Sequence, residues 1–186
     1  MFTEISSPMS DMWQVCWLVS VVLVVAAVID GMKLKVPNWI TFPMVLSGWA
    51  CSFWLFGFVG LGWSLVGTVV GLALLMPAYA VGGMGAGDVK LMAGIGAWVW
   101  GTVTFYAFCL SAIAGGLIAV VMVLRAKGWG KHRAQFWGII NEFLVIRNPE
   151  ALSSIAADRK GSMMLLPYGI PIAIGTIACF FWMGAM

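Results

Sequence analysis

The sequence predicts an all-α, polytopic membrane protein with about six transmembrane helices, built as one membrane-embedded unit. Three observations predict it. Hydrophobic residues make up 62% of the 186 residues and charged residues only 9%, against about 25% charged in a soluble domain. The mean hydropathy is +1.02 over the whole length, which leaves little polar surface for water. The basic residues, finally, fall in places that alternate with apolar runs of membrane-spanning length.

The runs come in order. A spanning helix needs about 20 mostly apolar residues. Candidate spans cover 12–29, 39–59, 61–81, 88–100, 102–124 and 163–186. Glycines interrupt nearly continuous apolar sequence between the third and fifth, so those limits are soft. The fourth is short, and a re-entrant fourth segment would leave five spans. The first twelve residues hold Glu4 and Asp11 and no Lys or Arg. A cleaved signal peptide needs a positive start, so the first run is expected to be a retained helix.

The charges orient the spans. All ten Lys and Arg lie at Lys33 and Lys35, at Lys90, or within 125–160. With six spans these are the three loops of one side. The other side holds Glu4, Asp11 and short uncharged turns near Gly60 and Gly101. The positive-inside rule then puts the basic loops in the cytoplasm and both termini outside. Dropping one span would scatter the positive charge over both faces. The largest loop, about 125–162, carries Phe136, Trp137, Ile139, Ile140, Phe143 and Leu144 at helical spacing, which predicts an amphipathic helix lying in the membrane interface. Asn148-Pro149-Glu150 reads as an N-cap with Pro at the first helical position, opening a second short helix to about 158. The eleven tryptophans fit an interfacial belt. Cys16, Cys51, Cys109 and Cys179 stand singly in apolar runs without a C-x-x-C spacing, which excludes a readable zinc ribbon or thioredoxin-like motif.

Two of the seven acidic residues sit at span boundaries: Asp30 where the first span exits, and Asp88 where the fourth begins. Two spans separate them, so topology returns both to the same face. Ionisable groups at that depth are costly and are functional candidates. A helix cap or a snorkelling charge explains one of them alone; a matched pair is harder to explain so. Four glycines in the six positions 82–87 precede Asp88. Such backbone is tolerated near a membrane where it lines a wet cavity. A phosphate cradle is disfavoured, because the aspartate repels an anion and no Walker lysine follows. Two carboxylates in hydrogen-bonding range do not readily both ionise, and the ionised one can activate water while the protonated one polarises a carbonyl. His132 is the sole histidine and lies in a basic loop, so serine–histidine and cysteine–histidine chemistry is poorly supported. Two aspartates alone would also under-ligand zinc. No cofactor, metal or nucleic-acid partner is expected.

Three segments carry a family resemblance. Asp30 is followed by Val36-Pro37-Asn38. The run Gly82-Gly83-Met84-Gly85-Ala86-Gly87-Asp88-Val89-Lys90-Leu91 contains a Gly-x-Gly-Asp core. Leu166-Pro167-Tyr168-Gly169-Ile170-Pro171 opens the last span. In these motifs, their order and their separation the sequence resembles the type IV prepilin peptidases, membrane aspartyl peptidases of the Gly-x-Gly-Asp type. The resemblance implies that Asp30 and Asp88 take the catalytic positions. It places Pro37, Asn38, Gly85, Gly87, Lys90, Pro167, Tyr168 and Gly169 at the substrate site or its loops. It implies removal of a short basic leader, after a glycine and just before an apolar helix, from prepilin or pseudopilin precursors at the cytoplasmic face of a bacterial inner membrane. Long members carry an extra segment with paired C-x-x-C motifs and also methylate the new N-terminus. This sequence resembles instead the short members of tight-adherence (Flp-type) pili, so peptidase action without N-methylation is expected; archaeal preflagellin peptidases also lack that segment, and the Met-Gly-Ala-Gly-Asp-Val-Lys form favours the bacterial group. Pro167 and Pro171 are expected to break the last helix and free backbone groups for an extended substrate.

Two other classes compete. A small ion- or proton-coupled channel or transporter would also carry membrane acids, but here both acids sit at one face and no inverted repeat is visible. A presenilin-like peptidase shares Gly-x-Gly-Asp, yet this sequence has Pro-Tyr-Gly where that group has Pro-Ala-Leu. The topology is open to a direct check: a reporter inserted near Gly60 is expected to read out as external, and one fused after Arg125 as cytoplasmic. The opposite pattern would overturn the orientation.

Overall fold

Long apolar runs satisfy their backbone away from water most simply as helix. The described residues of the computed structural model, 9–80, 83–125 and 167–184, are helical almost throughout, with no strand among them. The elements are α1 (Met9–Lys33), α2 (Asn38–Ala80), α3 (Ala86–Arg125) and α4 (Gly169–Trp182). The first three are long and apolar enough to cross a membrane, and α4 is a shorter apolar helix of 14 residues. The all-α membrane fold expected from composition is therefore present. The interfacial helices expected between 136 and 158 lie outside the described residues.

Each boundary has a local cause. α1 ends at Lys33, a base in the last turn where the helix dipole favours it. Leu34 follows in the left-handed region at φ 51, and its N–H bonds back to the Asp30 carbonyl at 2.7 Å. The Pro37 carbonyl then accepts the N–H groups of Ile40 and Thr41 and starts α2. At the far end of α2 the Gly83 N–H closes onto the Ala78 carbonyl at 3.1 Å.

α2 has 43 residues, about 65 Å if straight, roughly twice the hydrocarbon thickness of a bilayer. It is not straight. Gly57 takes φ 62, ψ −150, a conformation essentially reserved for glycine. The indole of Trp49 donates to Thr68 Oγ1 at 2.9 Å. Nineteen residues of straight helix would hold those groups nearly 30 Å apart, so the chain reverses between them. α3 breaks likewise at Trp100, with φ 64 and ψ 179, where a non-glycine residue is strained. The ring of Trp100 meets Phe56 edge-on at 5.6 Å, so the two breaks lie together. They fall at Gly57 and Trp100, close to the turns expected near Gly60 and Gly101.

Small residues let these rods approach. The first half of α2 runs beside the first half of α3: a Cβ at Gly94 would lie 2.9 Å from the Met44 sulfur, and one at Gly48 2.7 Å from Ala97 Cβ. Trp98 donates its indole N–H to the Met44 carbonyl at 2.9 Å. The second half of α2 crosses α3 backbone to backbone, with Gly67 against the Gly96 carbonyl and Gly71 against the Met92 carbonyl. The second half of α3 packs on α4, where Ser111 Oγ donates to the Ile172 carbonyl at 3.3 Å and Gly115 faces Pro171. Following these contacts along the chain, the end of α1 and the starts of α2, α3 and α4 gather at one end of the molecule. Val19, Leu23, Leu91, Met92, Ile95, Ile172 and Phe180 fill the core. Many other large apolar side chains face outward; Trp54 is 88% exposed and Phe58 81%, as apolar surroundings permit.

The Gly67–Gly96 crossing leaves no room for a methyl group on either residue. Gly96→Ala is expected to lower stability by about 1–3 kcal/mol, read as unfolding of the detergent-solubilised protein. Gly62 has nothing within 4 Å of a built Cβ, so Gly62→Ala serves as the control and is expected to be neutral or mildly stabilising. Equal effects of the two would refute the close-crossing account.

Candidate active site

Both boundary aspartates are buried, Asp30 to 2% exposure and Asp88 to 5%. A carboxylate so placed must be met by donors, and the fold supplies one to each. Asp30 lies in the last turn of α1, where the dipole disfavours negative charge. The first N–H of α4, from Gly169, points at it and donates to Asp30 Oδ2 at 2.7 Å. Asp30 is thus held by the start of another helix, a natural anion site. Gly169 has to be glycine, since a Cβ there would lie 2.9 Å from both Asp30 Cβ and Oδ2.

Asp88 lies in the first turn of α3. The Gly85 N–H donates to Asp88 Oδ2 at 3.1 Å, while the Asp88 N–H donates to the Gly85 carbonyl at 3.2 Å. This is the backward arm of a capping box, and it explains half of the carboxylate. The other half has no such explanation. Asp88 Oδ1 is buried and has no hydrogen-bond partner among the described residues. A buried carboxylate oxygen left without a donor is costly.

The turn after Asp30 brings Val36 against Gly87, the neighbour of Asp88, so both acids lie at the same end of the molecule. Tyr168, next to the Gly169 that holds Asp30, has a half-buried ring that packs against the core and faces Gly115. A phenol is protonated at neutral pH and is a donor in reserve. The Tyr168 carbonyl accepts the Ile172 N–H at 3.1 Å and the Pro167 carbonyl the Ile170 N–H at 3.2 Å, so Pro167-Tyr168-Gly169 is the turn that opens α4 beside Asp30. Pro171 falls in the first turn of that helix, where its missing N–H costs no intrahelical bond. It does not break the described part of the last helix, contrary to expectation.

The sequence motifs thus come together, with roles that differ among them. Gly85 donates to Asp88. Gly87 lies against Val36, since a Cβ on it would be 2.6 Å from the Val36 carbonyl oxygen. Pro37 starts α2. Lys90 faces neither acid: its ammonium donates to Asn38 Oδ1 at 2.9 Å and lies 4.9 Å from the centre of the Phe42 ring. Sequence reasoning missed Phe42, which nothing in an apolar run distinguishes, and the left-handed Leu34, which carries no glycine to mark it. No group of three or more metal-ligating side chains occurs among the described residues.

The family model of the type IV leader peptidase family matches residues 17–120, a stretch that includes both aspartates. The chain is 32% identical over 114 residues to a prepilin leader peptidase/N-methyltransferase of Aeromonas hydrophila, and 31% identical over 114 residues to one of Aeromonas salmonicida (strain A449). Each match covers 58% of this chain and 39% of the relative, so the chain matches less than half the length of these curated proteins. No solved structure matches it.

The crowding around Asp30 is testable without an activity assay. Gly169→Ala is expected to destabilise the solubilised protein by about 1–3 kcal/mol. At Gly31 the nearest atom to a built Cβ is Ile170 Cδ1 at 3.5 Å, so Gly31→Ala should be tolerated. A harmless Gly169→Ala would mean that Asp30 is not held as described.

Proposed function

Because the chain belongs to the type IV leader peptidase family, we propose that it is an aspartic endopeptidase that removes the leader from type IV prepilin-like precursors, with Asp30 and Asp88 as the catalytic pair. The observation that carries the reading is the pair's geometry. Two buried carboxylates come from different helices to one end of the molecule, and each accepts a glycine N–H at Oδ2, while Asp88 Oδ1 is buried without a partner among the described residues.

The chemistry follows from a shared proton. The ionised carboxylate takes a proton from water as the water oxygen attacks the scissile carbonyl carbon, and the protonated carboxyl gives its proton to the carbonyl oxygen. The resulting gem-diol collapses: its C–N bond breaks as the carboxyl that took the water's proton gives it to the leaving nitrogen, and a diol hydroxyl returns its proton to the other carboxylate, so the pair ends in its starting state. The pair titrates as a unit, so base and acid are roles of the dyad rather than of either residue. Glycine N–H groups on both acids supply donors fixed in advance of the reaction, which lowers the reorganisation that charge movement would otherwise require.

Six crossings put both termini outside and the acids at the cytoplasmic face of a bacterial inner membrane; the reversals at Gly57 and Trp100 support it. The basic leader is cut after a glycine, just before the apolar helix of an Flp-type pilin or pseudopilin. N-methylation is not part of the proposal, since the four cysteines of this sequence form no C-x-x-C pair.

Asp30→Asn and Asp88→Asn are each expected to abolish leader removal while the protein stays in the membrane, since a carboxamide cannot exchange the proton. General acid–base groups contribute about 100- to 10,000-fold, so the uncut precursor should persist on a gel when co-expressed with either variant. Retained cleavage would refute the two-aspartate mechanism. A proton or ion flux lost in both variants, with no processing by the wild type, would favour the transporter.

A further inference from the structure

Asp30 and Asp88 reside on helices that make little direct contact with each other. Something else must therefore set their relative position. One relay runs through α4, which touches Asp30 at Gly169 and packs along α3. The other runs through the turn after Asp30 into α2, whose first half lies beside α3. That second relay ends in the three residues Asn38, Phe42 and Lys90.

Lys90 follows Asp88 by two residues, about 200° around the helix, so it projects from roughly the opposite side. Its ammonium is already engaged by Asn38 Oδ1 at 2.9 Å and by the face of Phe42 at 4.9 Å. Partners 52 residues apart in sequence join the start of α2 to the first turns of α3. Immediately beside them Gly87, the neighbour of Asp88, lies on the backbone of Val36. Val36 is separated from the Asp30–Leu34 hydrogen bond by a single residue. The two aspartates are thus spanned by a short path: Asp30, the Leu34 turn, Val36 on Gly87, and Asp88, with Lys90–Asn38 closing the far side.

We infer that Lys90 and Asn38 are positioning residues that form a clasp between α2 and α3, setting where Asp88 stands relative to Asp30, and that neither contacts the substrate. The inference rests on the peptidase reading for its kinetic consequences, but the clasp itself exists or fails independently of it. A lysine in this motif then has a purpose other than neutralising the acids: it fixes the helix that carries one of them.

The test is a double-mutant cycle on the full chain in detergent, with a pilin-like precursor cut after glycine as the substrate. Lys90→Met and Asn38→Leu are each expected to lower kcat by about 10- to 100-fold, the range that small misplacements of reacting groups produce, with KM within about twofold of wild type. The double variant should be no worse than the poorer single one, as partners in one interaction require. Lys90→Arg and Asn38→Asp keep a charged or polar pair and should recover most of kcat. The same cycle is run on unfolding midpoints without substrate, where the two substitutions should again be non-additive. Losses borne by KM, multiplicative losses in the double variant, or additive midpoints would overturn the clasp. A wild-type protein that cuts no precursor would sink the peptidase reading alone, and the midpoints would still decide the clasp.

Discussion

A buried carboxylate in an apolar molecule survives only while a donor faces it, and here that donor is the Gly169 N–H on Asp30. Much else is arranged to make this one bond possible. α4 must begin where α1 ends, so α3 must reverse at Trp100 and bring its second half back along α4. Gly169 must lack a side chain, and Pro167 and Tyr168 must close the turn that aims its N–H. Moving α4 by a fraction of the 2.7 Å bond would leave Asp30 at the unfavourable end of its own helix dipole without the N–H that faces it.

Apolar chains have no hydrophobic gradient to hold helices together in a bilayer, so packing and hydrogen bonds carry the association. That explains the distribution of small residues. Gly67, Gly71 and Gly96 let α2 and α3 meet at backbone distance, Gly94 makes room for the Met44 side chain, and Gly175 lets α4 meet Ser111. The few buried hydroxyls reinforce the same seams: Ser64 Oγ bonds the Ala97 carbonyl at 2.5 Å, and Ser111 reaches the Ile172 carbonyl across from α4. The site is therefore set by rigid rods in close contact rather than by the loops between them.

This division also decides what the sequence reveals. Fold class was legible because composition alone names the solvent. Asp30 and Asp88 were legible because a charge is rare in this chain and expensive where they sit. The reversals were legible only approximately: glycine is so frequent here that Gly57 looks no different from Gly60 or Gly62, and Trp100 adopts a glycine-like conformation under tertiary constraint from Phe56 and Gly67. Glycines with opposite purposes, Gly57 for a turn and Gly96 for a crossing, are indistinguishable in one sequence. Lys90 was legible as part of a motif but not in its geometry, since its partner lies on a different helix.

The asymmetry between the acids follows from the same rods. Each carboxylate gives one oxygen to a glycine N–H, but the two bonds differ in kind. Gly169 belongs to a different helix from Asp30 and ties two rods together, whereas Gly85 belongs to the turn that opens the helix of Asp88 and ties that helix only to itself. Asp88 is consequently secured within α3 and placed by whatever places α3, while its second oxygen is buried without a partner among the described residues. A carboxylate arranged in this way can meet a new partner at Oδ1 without giving up the bond that orients it. The geometry of the pair is then a property of how α3 is seated against its neighbours, and the Val36–Gly87 and Asn38–Lys90 contacts at its first turns are where that seating is nearest the acid.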